Sequence, residues 1–136
     1  MDRRISSAAM MILVIMAFAC RQTHQYQGVG LTVLNVQRSE DLRSDGPIVS
    51  VKPEEDKEFV VVRLEIAWPP GRQEIALDHT ILKLTDDQGK SYGPAIWSMD
   101  PLSSAGKKKT IEEIKFMVPK GTRLKNFYVG DICFNI

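Results

Sequence analysis

Histidine, serine and aspartate side chains are the residues of this 136-residue chain that could carry acid–base, nucleophilic or metal chemistry. The two histidines are His24 and His79, and His79 follows Asp78. Proton transfer or metal binding needs further groups that converge on one point, and the sequence displays none beside them. Ser103 and Ser104 have no nucleophile motif around them. The sequence therefore predicts surface histidines, no catalytic residue, no metal ligand and no cofactor.

The adjacent carboxylates of Asp86 and Asp87 could bind a hard cation through their oxygens. Their spacing lacks the alternating carboxylates of a calcium loop. They begin the stretch Asp-Asp-Gln-Gly, in which Asp can bond its own backbone and Gly supplies the positive φ that the turn needs. The pattern predicts a tight hairpin turn at residues 86–89.

The beginning of the chain has the parts of an export signal. An Arg-Arg pair precedes an uncharged apolar run at residues 5–18, and Ala17 and Ala19 are small residues at the two positions that a signal peptidase reads. The run is shorter than the roughly 20 apolar residues that span a bilayer. We expect residues 1–19 to be a signal peptide and the protein to be exported.

Cys20 follows Ala19 directly, and a small residue before Cys at this place resembles a bacterial lipobox. A lipobox usually has an aliphatic residue three places and a small residue two places before the Cys, where this chain has Ala17 and Phe18. We predict lipidation of Cys20, which would anchor the protein to a membrane of the cell envelope, since stable anchoring needs more than one acyl chain. Ala-x-Ala also fits ordinary signal peptidase, and the product would then be a soluble secreted or periplasmic protein.

The second cysteine, Cys133, bears on the same choice. An unlipidated Cys20 could pair with Cys133 in an oxidising compartment, and the long loop so closed would be worth about 4–5 kcal/mol in the entropic model. With Cys20 lipidated, Cys133 is a single thiol, and we then expect it to be a small half-buried hydrophobe near the end of a sheet.

The charge of the chain is balanced. Residues 1–19 hold two of the 18 basic and one of the 17 acidic side chains, so the rest of the chain has equal numbers of each. This balance gives no reason to expect a nucleic acid as partner.

Trp97 and the lysines at 107, 108 and 109 (Lys107, Lys108 and Lys109) are the candidate interaction residues, because loops on a rigid scaffold commonly carry binding. Three lysines before a strand can also keep a loop solvated and protect a sheet edge. Trp97 can be a lid over the end of the domain or an exposed contact residue.

The elements that would position these residues are β-strands. In residues 58–68 (EFVVVRLEIAW) apolar side chains alternate and the opposite face is also largely apolar, which is typical of a strand near the middle of a sheet. Residues 20–27 are predicted to be a tether and residues 96–109 a long crossing loop. Further strands are predicted at residues 29–36, 47–51, 74–77, 80–85, 90–92, 110–118 and 126–136. These seven to eight short strands predict an all-β, antiparallel sandwich over residues 28–136.

Several of these segments in order resemble a known family. The hairpin LTDDQGKSY (84–92) fits the pattern Leu-x-Asp-x-x-Gly-x-x-Tyr, and FMVP (116–119) fits a strand end Phe-x-Val-Pro. The family comprises small secreted bacterial lipoproteins of unknown function, in the superfamily of the immunoprotective extracellular antigen. The resemblance spans residues 28–130. It departs at Ala105-Gly106, where the family has Pro-Gly, and at WPPG (68–71), where it has an Asn-rich turn.

The resemblance implies an immunoglobulin-like β-sandwich at the cell envelope, and it brings no catalytic residues. We therefore expect a non-enzymatic domain that binds another envelope or extracellular component through the end that carries residues 96–109. The alternative is a carrier of a small ligand or metal, with its pocket between the sheets or around His79 and Asp78.

Overall fold

The computed structural model of the chain describes residues 22–39, 42–43, 50–51, 55–96 and 101–136. These residues form antiparallel β-sheets and contain no α-helix, so the all-β, antiparallel prediction is confirmed. The predicted signal peptide, Cys20 and Trp97 lie outside the described residues. No helix within the described ranges has the length and apolar character that a membrane span requires.

Thirteen strands are present in the described residues, several of them only two residues long. In chain order they are β1 (Thr23–Tyr26), β2 (Val29–Ser39), β3 (Leu42–Arg43), β4 (Ser50–Val51), β5 (Lys57–Ala67), β6 (Glu74–Ile75), β7 (Leu82–Asp86), β8 (Ser91–Tyr92), β9 (Pro94–Ile96), β10 (Leu102–Ser103), β11 (Lys109–Pro119), β12 (Leu124–Val129) and β13 (Ile132–Asn135).

The larger sheet has five strands in the order β1-β2-β5-β11-β9. β5 lies in its middle, which confirms the prediction of a central strand at residues 58–68. Its inward side chains are β-branched or aliphatic and fully buried, as a pleated surface with one face on the core requires: Val60, Val62, Leu64 and Ile66. β5 pairs with β11 over its whole length, from Lys57 opposite Pro119 to Ala67 opposite Lys109.

The second sheet has four strands in the order β13-β12-β7-β8, and the two sheets share one hydrophobic core. Phe116 of β11 meets Phe127 of β12 in an edge-to-face contact, with ring centroids 6.1 Å apart. Phe127 also contacts Phe134 of β13 at 5.8 Å. Three buried aromatic rings therefore connect the middle of one sheet to the edge of the other.

The prediction of a tether over residues 20–27 is wrong where the structure describes it. Thr23–Tyr26 form β1, which pairs with β2 through a two-residue turn at Gln27 and Gly28 with φ of 48° and 83°. Two positive φ angles are the geometry of a type I′ turn, whose twist matches that of paired strands. The polar residues of β1 form a strand because the backbone of β2 supplies their hydrogen-bond partners.

The prediction of one final strand over residues 126–136 is also wrong. The chain reverses at Gly130, so β12 and β13 form a hairpin and Val129 lies opposite Ile132. Gly130 has φ of 57°, which most residues adopt at a cost, and its N–H donates to the carbonyl of Ile81 at 2.9 Å. The side chains that face the core are accordingly Phe127, Val129 and Phe134.

Two predicted loops contain short strands. β3 lies in residues 39–46, which were predicted to be a loop, and pairs with β4, which lies in the predicted strand at residues 47–51. Within residues 96–109, β10 pairs with β6 through Leu102 opposite Ile75. Part of the predicted crossing loop is therefore a strand.

The replacement of Phe116 by alanine tests the central position of this core. Phe116 is fully buried between the sheets, and we expect Phe116→Ala to lower the free energy of unfolding by about 3–5 kcal/mol. Ile111→Ala is the matched control, because Ile111 lies on the same strand and is 48% exposed. Urea denaturation should show a change of less than about 1 kcal/mol for the control. Equal losses in both variants would contradict the packing described.

Candidate interaction surface

The three predicted lysines lie at one end of the domain, where residues 104–108 lead into β11. Lys107, Lys108 and Lys109 are all exposed. Lys107 and Lys108 precede the strand, whereas Lys109 is its first residue and lies opposite Ala67 of β5. The sequence prediction of a lysine-bearing loop before a strand is thus correct for two of the three residues.

Backbone hydrogen bonds fix the position of this segment. The N–H of Ser104 donates to the carbonyl of Gln73 at 2.8 Å, and the N–H of Trp68 donates to the carbonyl of Lys108 at 2.8 Å. A third bond, from the N–H of Lys107 to the carbonyl of Ser104 at 2.9 Å, closes the turn between them. Residues 104–108, which we call the lysine turn, are therefore tied to two neighbouring segments.

The hydroxyls of two serines, one exposed and one buried, bond the backbone of the lysine turn. The hydroxyl of Ser103 accepts from the N–H of Ala105 at 3.1 Å, and that of buried Ser104 accepts from the N–H of Gly106 at 3.4 Å. Ser and Thr hydroxyls that bond the backbone two residues on are a common way to stabilise turns. These serines therefore serve the geometry of the turn, and Ala105, with φ of 49°, is held in a left-handed conformation.

Trp68 lies between the lysine turn and the core. Trp68 is 7% exposed and belongs to the main core. Its indole N–H donates to the Thr110 hydroxyl at 2.8 Å, so the one polar group of the ring is paired. The start of β11 is thereby held against the end of β5.

Electrostatically, the lysines differ from one another. The Lys109 ammonium lies 3.8 Å from the carboxylate of Glu65 on β5, a distance at which two partly solvated charges gain little. The described structure shows no ion pair for Lys107 or Lys108. Two uncompensated positive charges on a fixed turn form a surface that would attract an acidic partner.

The histidines differ from the prediction in one case. His79 is exposed and lies 3.4 Å from Asp78, which accepts a hydrogen bond from the N–H of Thr80 and begins a short 3-10 turn. His24 was predicted to be on the surface and is instead half-buried, edge-on to Phe134 with centroids 4.9 Å apart. Its Nε2 is buried and has no hydrogen-bond partner within the described structure.

The sequence signal for His24 was present but weak. His24 and Tyr26 alternate with Thr23 and Gln25, and a Gln-Gly dipeptide follows, which together are compatible with a strand before a turn. The contact with Phe134 could not be read from the sequence, because the two residues lie near opposite ends of the chain.

Asp86 occupies the predicted hairpin turn and is nearly buried, so the turn prediction is confirmed. One carboxylate oxygen accepts from the N–H groups of Gln88 at 2.9 Å and Lys90 at 2.8 Å, and the other accepts from the Tyr92 hydroxyl at 3.1 Å. Desolvation alone would raise the pKa of Asp86, but the bonds from Lys90, Gln88 and Tyr92 outweigh it and lower the pKa. Desolvation and the bond to Asp86 raise the pKa of Tyr92.

A polar groove of about 460 Å³ lies beside this turn, at the end of the domain opposite the lysine turn. It runs between the β7–β8 turn and the β11–β12 turn, which are joined by a bond from the N–H of Asp87 to the carbonyl of Arg123 at 2.9 Å. Its lining residues include two carboxylates and two cations: Asp86, Asp87, Lys120 and Arg123. The groove is neither between the sheets nor at His79, where the sequence placed a possible pocket.

Of two further titratable groups, Glu112 was not singled out from the sequence, whereas Cys133 was expected to be half-buried near the end of a sheet and is. Glu112 lies opposite Leu64. Desolvation raises the pKa of its carboxyl; the charge of Lys115 lowers this pKa, and the charge of Glu113 raises it further. The free thiol of Cys133 faces away from the core beside Tyr128, whose pKa its hydrogen bond raises. No group of three or more His, Cys, Asp or Glu side chains able to hold a metal ion occurs among the described residues.

Comparison of the chain with models of protein families, with curated proteins and with solved structures found no match. The family resemblance seen in the hairpin and in the Phe-x-Val-Pro strand end therefore stays a prediction. Any functional argument has to come from the residues of this chain.

The pH dependence of stability tests the role of Asp86. Its carboxylate, with a lowered pKa, stabilises the fold above about pH 4, the ordinary value for Asp, and this contribution is lost as the pH falls through the folded-state pKa. We expect Asp86→Asn to lower the urea midpoint at pH 7 and the difference from the wild type to shrink below about pH 4. The control is Asp87→Asn, because the Asp87 side chain makes no hydrogen bond in the described structure. A midpoint difference independent of pH would contradict this role.

Proposed function

We propose that this protein is an exported, lipid-anchored and non-enzymatic binding domain of the bacterial cell envelope, with an immunoglobulin-like β-sandwich. The observation that carries the proposal is the lysine turn, a fixed segment with exposed and uncompensated positive charges. A segment already held in one conformation loses little entropy when it binds, which favours a role in recognition. The partner is an envelope or extracellular protein that presents acidic side chains to this end of the domain.

The absence of convergent chemistry in the described residues supports a non-enzymatic role. Asp86 is engaged in holding its turn, Glu112 faces an apolar neighbour, and His79 is exposed beside a single carboxylate. Catalysis by general acids and bases needs at least two such groups arranged around a substrate. The polar side chains that were candidates for chemistry instead stabilise turns.

Anchoring through Cys20 would hold the folded domain close to the membrane. Because β1 begins at Thr23, two residues separate the sheet from the cysteine proposed to be lipidated. An extended chain covers at most about 3.5 Å per residue, so the anchor would hold the domain within roughly 10 Å of the membrane. A partner of a domain held this close to the membrane would itself be in the envelope.

The polar groove between Asp87 and Arg123 favours the carrier of a small ligand as a second candidate. Its mixed charges suit a small polar molecule that has both donor and acceptor groups. In this case the binding site would lie at the end of the domain opposite the lysine turn.

Intact mass spectrometry of the exported protein tests anchoring and the carrier function together. Under denaturing conditions we expect a diacylglyceryl-sized increment on the mature chain, absent in Cys20→Ser. In cells treated with globomycin, which blocks cleavage after the lipid is attached, the increment should remain on a precursor that still carries residues 1–19. A wild-type mass two hydrogens below that of the unmodified chain would indicate a Cys20–Cys133 disulfide and contradict anchoring. Under native conditions, an additional small molecule on the folded chain would favour the carrier.

Charge reversal in the lysine turn tests the binding surface. We expect the double variant Lys107→Glu/Lys108→Glu to bind its envelope partner at least about tenfold more weakly, chiefly through slower association, because the potential that attracts acidic groups is reversed. Lys120→Glu/Lys125→Glu is the matched control, with the same change of charge near the other end. Partners captured by cross-linking in intact cells identify the complex, and purified components give the affinity. If the control weakens binding as much as the test variant does, the lysine turn is not the contact surface.

A further inference from the structure

The outer edge of β1 is a free edge of the five-stranded sheet. β1 is the terminal strand in the order β1-β2-β5-β11-β9, and no other described strand pairs with its outer side. An unpaired edge presents a row of backbone N–H and C=O groups to which another strand can add. Only the backbone groups of β1 that point outward can bond an added strand.

The hairpin geometry settles this question. Residues that flank a two-residue turn form a hydrogen-bonded pair, so Tyr26 bonds Val29 and, two residues earlier, His24 bonds Leu31. The alternate residues, Thr23 and Gln25, point their backbone groups to the free edge. The hydroxyls of Thr23 and Thr32 approach to 2.7 Å, as expected for the closer spacing of a non-hydrogen-bonded pair.

β1 also lacks the features by which proteins protect sheet edges. It contains no charge, no proline and no bulge, and its four pairs with β2 are in regular register. By contrast, the opposite edge strand β9 begins with Pro94 and has a register shift where it meets β11. In the second sheet, the edge strand β13 is likewise free of charge and proline, and the His24–Phe134 contact places it beside β1. One side of the domain is thus formed by two unprotected edges.

We propose that β1 pairs antiparallel with β1 of a second copy of the chain, which joins the two five-stranded sheets into one. A two-fold axis perpendicular to the sheet keeps the core-facing side of both copies on the same side. Three registers satisfy this symmetry and bring outward-pointing residues of β1 together, centred on His24, on Gln25 or on Thr23. The last makes only two bonds within β1, because Gln25 would lie opposite residue 21, which precedes the strand.

The register centred on His24 makes more hydrogen bonds. It places Thr23 opposite Gln25 of the second copy on both sides of the axis, and each such pair exchanges two backbone bonds, four in total. The register centred on Gln25 makes only two bonds, because its next pair would bring Thr23 opposite Gln27, which lies in the turn. The number of available bonds therefore selects the first register.

The same register places the two His24 residues opposite each other. Residues at the centre of a non-hydrogen-bonded pair have Cβ atoms about 4.5–5.5 Å apart. The two half-buried His24 side chains would thus be neighbours on the core-facing side, and the pairing would cover imidazole surface that one copy leaves exposed.

The site of the anchor is compatible with this pairing. The two Thr23 residues would be about 8 Å apart, from strands roughly 4.8 Å apart and an offset of two residues. Each Cys20 is only three positions along the chain from Thr23, so both anchors can reach one membrane. This step rests on the proposed lipidation, whereas the strand pairing itself does not.

Sedimentation analysis of the detergent-extracted exported protein tests the pairing. We expect a dimer for the wild type and, for Gln25→Pro, a dissociation constant raised at least about tenfold, because the substitution removes outward-pointing N–H donors and leaves the β1–β2 bonds intact. Gln22→Pro is the matched control: it introduces proline next to β1, where no intermolecular bond is expected, and should leave the dimer unchanged. A monomeric wild type at tens of micromolar, or a dimer insensitive to Gln25→Pro, would overturn the proposal.

Disulfide trapping tests the register and is independent of lipidation. In a Cys20→Ser/Cys133→Ser background, Thr23→Cys/Gln25→Cys should form covalent dimers under mild oxidation, since hydrogen-bonded pairs have Cα atoms about 5.5 Å apart. Each single cysteine should fail, because its own copy lies beyond the roughly 7 Å limit. Equal trapping of the single variants would refute this register. Trapping of β1 to another protein, without dimers, would refute self-pairing altogether.

Discussion

The continuous pairing of β5 with β11 is the constraint on which the rest of the structure depends. These strands are opposed at every position from Lys57 and Pro119 to Ala67 and Lys109. Their inward side chains form the base of the core, onto which the second sheet packs through Phe127 and Phe134. The ends of the same pair set the positions of the lysine turn and of the β11–β12 turn beside the groove. Core and surfaces thus share one framework.

The sequence predicted those parts of the fold whose causes are local. The alternation in β5 and the Asp-Gly chemistry of the hairpin both act within a few residues, and both predictions were correct. β1 was missed because its polar residues have no strand signal of their own and pair only because β2 is adjacent. The β12–β13 hairpin was missed although Gly130-Asp131 is a two-residue hairpin signal, because the alternate residues Tyr128, Ile132 and Phe134 can also be placed on one face of an uninterrupted strand.

At the candidate site too, features with local causes could be predicted and features that depend on distant residues could not. The lysines could be found from their types, but the bonds that fix their turn come from Gln73 and Trp68, which lie more than thirty residues earlier in the chain. His24 was judged by its polar neighbours in the sequence, and its burial comes from Phe134 on another sheet. A local pattern can therefore identify a residue able to make a contact, while the contact itself depends on strand order. Proposals about function consequently rest here on exposed turns and edges.

The contact between His24 and Phe134 also has a kinetic meaning. It joins the first and the last β-strand of the described chain, so one of the longest loops in the molecule must close before the core is covered on that side. During synthesis the amino-terminal part of the chain is made first, so β1 can pair with β2 early. The core-facing side of that hairpin remains exposed to water until β13 is available to cover it. Folding of this domain is therefore completed only after β13 has been synthesised. The β1 edge belongs to the last part of the domain to be completed, so unintended strand pairing has the most time to occur there.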